Sequence, residues 1–251
     1  MCWLIKIGTS TITDDNGRLD ETILEMLIND IAYLKRQGLD VVIVSSGAVA
    51  CGKQLIGDML QTDDTFLKLR TQAAIGQPLL LNTFQKLFRK HEINISQVLV
   101  QDQDFRDGDR VSSIKSMLTM LLSNNVIPIL NENDAITIRK QDYRDNYGKI
   151  LWDNDSLATL VAKTLNVSKL VLVSNIDGVY DLNGTIIKDW TEEYYDKLGI
   201  IKDSNYGRGG ILSKLKAANS ASNHGINTYI INGKQPNILM NLHQNTLIKY
   251  T

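Results

Sequence analysis

The chain has 251 residues, 43% hydrophobic and 22% charged, enough for one large α/β domain over 1–251 with a core of its own. Lys and Arg number 27 against 28 Asp and Glu, which leaves no net field to gather nucleic acid or an anionic membrane. Only Cys2 and Cys51 carry thiols; without pairs or metal-like spacing they exclude a disulfide framework and read as small buried hydrophobes of a reducing compartment. The amino terminus shows no basic region, long apolar stretch or cleavage site, and no run reaches spanning length, so a cytoplasmic protein is expected.

Cys2 to Ile7 reads as a buried strand cut off by Gly8-Thr9-Ser10, a turn with backbone N–H groups free to face phosphate. A helix follows from Asp20, with Ile23, Leu24, Leu27, Ile31 and Leu34 on one face and Gly38 as its stop. Val41 to Val44 predicts a second strand ending in Ser45-Ser46-Gly47-Ala48. Two helical stretches are expected to flank Gly76-Gln77-Pro78, followed by a strand at Ile95 to Val100 and a helix from about Ser112 to Leu122. The apolar run Val126 to Leu130 then ends in Asn131-Glu132-Asn133-Asp134, which would sit just beyond the strand's carboxyl end.

Between Ala135 and Trp152 the sequence turns polar and suggests a hairpin or lid, with Tyr143, Tyr147 and Trp152 either walling an acceptor pocket or packing within the lid. Asp153-Asn154-Asp155 could cap a helix carrying Leu157, Leu160, Val161 and Leu165. Leu170 to Val173 is another strand, ended by Ser174-Asn175-Ile176-Asp177-Gly178. Gly207-Arg208-Gly209-Gly210 precedes an amphipathic helix through Ile211, Leu215, Ala218 and Ala221 that ends at Gly225. Strands at Thr228 to Ile231 and Leu247 to Tyr250 close a pattern of alternating strands and helices, which predicts a mostly parallel, doubly covered sheet.

Gly47 to Gln54 nearly matches a nucleotide P-loop but fails at its last position, where Gln54 has no hydroxyl for Mg²⁺; Lys53 then reads as an exposed lysine. Gly207 to Gly210 opens a helix, so a polyphosphate could approach backbone N–H groups and the positive end of the helix dipole, with Lys214 in the first turn. A solvated helix lysine is the ordinary account of Lys214 taken singly. Lys6, inside an apolar strand, needs a partner. Asp134, Asp153 and Asp155 could be turn and cap residues, but beside Asn131, Asn133, Asn154 and Asn175 they make a mixture suited to a zwitterion. His91, His224 and His243 are far apart and form no zinc motif.

In this order, Lys6-Ile7-Gly8-Thr9-Ser10, Val44 to Val49, Ala74-Ile75-Gly76-Gln77, Asn131 to Ala135, Asp153-Asn154-Asp155 and Gly209 to Leu215 resemble the glutamate 5-kinases of the amino acid kinase family over essentially the whole length. The resemblance implies a three-layer α/β/α sandwich and MgATP-dependent phosphorylation of the side-chain carboxylate of L-glutamate, the first step of proline biosynthesis. It implies Lys6, Lys214 and Asp155 as catalytic residues, the lysines on the phosphoryl group and Asp155 orienting them. Gly8 and Gly47 would offer backbone N–H groups. Lys6, Gly8, Ser174, Asn175, Arg208, Gly209, Gly210, Ile211, Leu212, Ser213 and Lys214 would line the ATP site. Ser46, Gly47, Ala48, Asn131, Asp134, Asp153 and Asn154 would bind glutamate, and Mg²⁺ would be held by phosphate oxygens and water, with no protein metal site.

The resemblance further implies a homo-oligomer, proline as a feedback inhibitor, and coupling to a glutamyl phosphate reductase, in a short form without the carboxy-terminal RNA-binding-like domain. Trp152 stands where a glycine normally precedes Asp-Asn-Asp, Asn175 replaces an aspartate, and Arg208 a small hydroxyl residue. Alternatives are a kinase acting on acetylglutamate, aspartate or a nucleoside monophosphate, or a catalytically silent ligand sensor. Asp134 and Asp153 favour an acceptor with a free α-ammonium.

Overall fold

The computed structural model describes residues 1–136, 153–191, 210–242 and 245–248. In chain order its strands are β1 (Cys2–Ile7), β2 (Asp40–Val44), β3 (Ile95–Val100), β4 (Ile127–Glu132), β5 (Lys169–Ser174), β6 (Asp189–Trp190), β7 (Asn227–Asn232) and β8 (Thr246–Ile248). The helices are α1 (Glu21–Arg36), α2 (Ala48–Ile56), α3 (Thr65–Arg89), α4 (Gly108–Ser123), α5 (Asn154–Leu165) and α6 (Ile211–Ser222). The strands form one sheet in the order β3-β4-β2-β1-β5-β7-β8-β6. From β3 to β7 every pairing is parallel; β8 runs antiparallel to β7, and β6 parallel to β8.

Alternation along each strand sorts the apolar side chains into two cores, one on each face. Ile5, Ile7, Val41, Ile43, Ile129, Val171 and Val173 pack with α1, α2 and α3. Leu4, Val42, Val44, Leu130, Leu170, Leu172 and Ile230 pack with α4, α5 and α6. Helices on both faces of a mostly parallel sheet make the α/β/α sandwich that the sequence predicts, and they explain why its strands are apolar at every position. The chain builds β2, β3 and β4 on one side of β1 and then crosses to β5 on the other. Such a reversal leaves a crevice beyond the carboxyl ends of the central strands, where ligands of open α/β sheets bind.

Three expectations are corrected. One 25-residue helix, α3, runs through Pro78, where two were expected. Pro78 and Ala74, the residue whose carbonyl loses its intrahelical donor, are both exposed, so water can take up the bond. Asn131 and Glu132 are the last residues of β4 instead of lying beyond it, and α4 starts at Gly108, capped by Asp107. The short β6 gave no periodic signal at two residues. The expected hairpin or lid with Tyr143, Tyr147 and Trp152 lies outside the described residues, as do His243 and Tyr250.

The contact of α2 with α3 is built on glycine. A Cβ on Gly76 would overlap the Ala48 carbonyl oxygen and the Gly52 backbone, and one on Gly52 would overlap the Gln72 carbonyl. The glycines therefore let the two helices approach backbone to backbone. Gly76→Ala should force them apart at about 2 kcal/mol, lowering the thermal midpoint by about 4–8 °C. Gly108→Ala, with open space around it, should be near neutral. Equal midpoints for the two variants would remove the close-packing account.

Candidate active site

Lys6 is the fifth residue of β1 and lies level with Val44 of β2 and Leu172 of β5. Its even position turns the side chain to the α5 side, where only 5% of the residue remains exposed. The partner that such a lysine requires is Asp155, in the first turn of α5: Lys6 Nζ lies 2.7 Å from Asp155 Oδ1. Lys214, in the first turn of α6, donates from Nζ to Asp155 Oδ2 at 3.0 Å. One buried carboxylate thus bridges two ammonium groups carried by a strand and a helix on either side of it. Burial pushes the Asp155 carboxyl upward, but the two ammoniums outweigh it and hold it below its ordinary value. Burial, assisted by the charge on Lys6, lowers the pKa of Lys214, and Asp155 and Asp153 offset only part of that.

The two helix starts are joined by a second polar contact. Asp153 caps α5, accepting from the Ser156 backbone N–H at 2.8 Å, and its other oxygen accepts from Ser213 Oγ in α6. The cap account of Asp153 therefore holds, and part of its capacity is already taken. Gly210 caps α6 without a side chain, so the N–H groups of that first turn remain open to an anion beside Lys214.

A cluster of amides lies on the other side of α5. Asn154 Nδ2 donates to Ser46 Oγ at 2.7 Å and to Asn131 Oδ1 at 3.3 Å. Asn131 Oδ1 also accepts from the Glu132 backbone N–H at 2.9 Å, and Asn131 Nδ2 donates to Gln77 Oε1 of α3 at 2.9 Å. Ser46 lies in the link from β2 to α2, whose N-cap is Gly47 at φ +108°, a left-handed conformation that calls for glycine. Ala48 follows as the first, buried residue of α2. This early start of α2 puts Lys53 inside a helix, exposed, instead of in a phosphate-binding loop. Asp134 follows β4 and, with Gln77, Asn82, Gln97, Glu132 and Asn133, lines a cavity of about 500 Å³. Arg70 of α3 holds that stretch by donating from Nε to the Ala135 carbonyl at 2.8 Å.

The remaining expected residues divide. Gly8 is close to the charged centre, since a Cβ on it would lie 3.6 Å from Lys6 Nζ. Its N–H, expected to face phosphate, is instead donated to the Val173 carbonyl at 3.3 Å, because β1 and β5 remain paired there. Ser174 is buried at the end of β5, while Asn175 just beyond it is exposed, as is Leu212 on the outer side of α6. Ile211 is buried in the core that α6 shares with α5. Arg208 and Gly209 lie outside the described residues. Sequence reading missed Gln77 and Arg70, whose partners are 54 and 65 residues away. It also missed Asp177, which accepts from Asn232 Nδ2 at 2.8 Å and Gln235 Nε2 at 2.6 Å and so ties the end of β5 to that of β7.

Comparison with known proteins follows the same lines. The chain matches the amino acid kinase family over residues 1–232. It is 34% identical over 251 residues to a glutamate 5-kinase of Alkaliphilus metalliredigens, covering 97% of this chain and 92% of that protein. Two delta-1-pyrroline-5-carboxylate synthases, from Solanum lycopersicum and Oryza sativa, are 38% and 36% identical over 96% and 92% of this chain. The chain spans about a third of their length, 36% and 33%. An isopentenyl phosphate kinase superposes with a TM-score of 0.65 at 14% identity, over 99% of this chain and 100% of that one, which shows a shared fold. Family match, identity over nearly the whole of one relative and the shared fold agree: the chain belongs to the amino acid kinase family, on its glutamate 5-kinase branch.

Proposed function

We propose that the chain transfers the γ-phosphoryl group of ATP to the side-chain carboxylate of L-glutamate, giving glutamyl 5-phosphate and ADP. The observation that carries this reading is the pair of ammoniums on Asp155, set between the open start of α6 and the Ser46–Asn131–Asn154 cluster. A glutamate side chain has a reference pKa of about 4.3 and is already an anionic nucleophile at neutral pH. It needs no general base, which fits a centre of lysines with no histidine among the site's partners. A carboxylate oxygen forms a bond to the γ-phosphorus while the bond from that phosphorus to the β,γ-bridging oxygen breaks and ADP leaves. Both reactants are anions. The residues therefore have to hold them in line and offset charge on the transferring group.

In this reading Lys6 and Lys214 neutralise the phosphoryl oxygens, and Asp155 positions both ammoniums. Its own charge leaves the trio at net +1, a local excess suited to an anion. The amides and Ser46 hold the acceptor, with Asp134 available to its α-ammonium. Among the described residues no three His, Cys, Asp or Glu side chains could hold a metal together. That donor set suits Mg²⁺ carried by the triphosphate, where it would supply further charge neutralisation. The continuous sheet and the match over residues 1–232 support reading the chain as one catalytic domain. An acyl phosphate is labile, so its consumption by a reductase is a further part of the proposal; relatives named pyrroline-carboxylate synthases, three times as long as the match, support it. Among the described residues no helix is long and apolar enough to cross a membrane.

ADP release from MgATP, measured with L-glutamate, aspartate, N-acetylglutamate and UMP in parallel and with hydroxylamine as trap, tests the reaction. The expected result is glutamate-dependent ADP and a hydroxamate; activity with another acceptor alone would overturn the acceptor assignment, and silence with all four would favour a ligand sensor. Lys214→Ala should fold normally and lower kcat by about 10²–10³-fold, as loss of a charge-stabilising donor does; undiminished turnover would remove the mechanism. Because the pKa of Lys214 is lowered, its charge is present at neutral pH and lost as pH rises, before a free lysine of pKa 10.5 would titrate. The alkaline limb of kcat/KM for MgATP, which reports the free enzyme, should therefore fall below pH 10.5. Whatever activity Lys214→Arg retains should lack that limb, and a limb left in place would put the titration on another group.

A further inference from the structure

Gln77 belongs to the Ala74-Ile75-Gly76-Gln77 stretch, to which the functional reading assigns no task. Its place in the amide cluster defines one. A backbone N–H can only donate, so the atom of Asn131 that meets the Glu132 N–H at 2.9 Å has to be the carbonyl oxygen Oδ1. The amide group Nδ2 of Asn131 then faces α3, and the atom it meets at 2.9 Å must be an acceptor, Gln77 Oε1. Asn131 Oδ1 also lies 3.3 Å from the side chain of Asn154, which has to present a donor there. Asn154 therefore turns Nδ2 towards Asn131 and Ser46, and its own Oδ1 points the other way. That oxygen is enclosed and has no hydrogen-bond partner among the described residues.

We propose that Gln77 is a positioning residue that locks the polarity of the Asn131–Asn154 amide pair, so that Asn154 Oδ1 is offered as an acceptor to the α-ammonium of the amino-acid substrate. The inference rests on the acceptor being an α-amino acid, as proposed above. Asn131 is 1% exposed, so without Gln77 its Nδ2 has no acceptor and the amide gains by turning over. A turned Asn131 offers a donor where Asn154 also offers one, and Asn154 must turn in consequence. Its Nδ2 then faces the substrate's ammonium, donor against donor. Gln77 thereby acts two residues away from the ligand on the choice between substrates with a free ammonium and those without. It does not touch the Lys6–Asp155–Lys214 centre, so the phosphoryl-transfer step itself is left alone.

Two variants separate this role from a packing role. Gln77→Leu keeps the volume and removes the acceptor; Gln77→Glu keeps an acceptor oxygen at a half-buried position. Steady-state kinetics would be measured for both with L-glutamate and MgATP, and with glutarate, the same dicarboxylate without the ammonium, as a competitor against glutamate. Gln77→Leu should raise the KM for L-glutamate roughly tenfold, as expected for a polar group left unpaired in the site. It should leave kcat and the KM for MgATP unchanged and shrink the ratio of glutarate Ki to glutamate KM by a similar factor. Gln77→Glu should restore most of the glutamate KM. Equal weakening of glutamate and glutarate, a fall in kcat, or no change in Gln77→Leu would each overturn the relay. A parent enzyme with no glutamate-dependent ADP release would instead overturn the functional reading beneath it.

Discussion

The structure depends on one carboxylate shared by two lysines. Asp155 is nearly sealed from water, and a buried carboxylate or ammonium alone would carry a desolvation cost of several kcal/mol. Each member of the trio is tolerable only because the others are present, so the ends of β1, α5 and α6 have to meet at one point. The compensation is incomplete by one positive charge, and that remainder shows in the lowered pKa of Lys214. A site that binds the most highly charged part of ATP gains from such a surplus. The free protein bears the repulsion that the phosphoryl group removes.

Bringing three elements together at that point needs small residues around it. Gly8 follows Lys6 with the Val173 carbonyl 3.3 Å from where a Cβ would stand, so the turn out of β1 stays against β5. Gly47 turns the chain out of β2 in a left-handed conformation, placing Ser46 towards Asn154 and starting α2 at once. Gly52 and Gly76 then let α3 lie close on α2, which carries Gln77 to Asn131 at the end of β4. The glycines of the two strand ends and those of the helix pair thus serve the same geometry from opposite sides of the sheet.

Much of this was legible in the sequence because it follows from local rules. Strands buried on both faces read as apolar runs, and their abrupt polar ends at Ser46, Asn131 and Ser174 mark the edge where the ligands go. Lys6 could be singled out because an isolated charge in an apolar strand demands a partner, though its identity, 149 positions away, could not be read from spacing. Pro78 misled because the rule against proline inside a helix assumes a lost bond that stays unpaid, whereas here it lies on an exposed side. Asp153 fitted two accounts, cap and ligand, and only tertiary contact with Ser213 shows how far the first is realised. Gln77 carried no sign at all: a glutamine in an amphipathic helix looks like any polar surface residue until its amide is seen against Asn131.

Asp153, Asn154 and Asp155 show why three consecutive polar residues recur as a unit. At the start of a helix, successive side chains are splayed by about 100°. Asp153 can therefore reach Ser213 of α6, Asn154 can reach Ser46 and Asn131 beyond β2 and β4, and Asp155 can reach Lys6 and Lys214. Three neighbours in sequence thus serve three different parts of the site. The same rigid turn joins the side that holds the nucleotide to the side that holds the acceptor, since α6 is attached to it twice and the amide cluster once. A shift of α6 on binding a triphosphate would move Asp153 and Asp155 directly, and Asn154 with them because it lies between. Alignment of the acceptor carboxylate with the phosphorus is then set by one turn of backbone instead of by two independently mobile loops, which is the geometry that an in-line transfer between two anions requires.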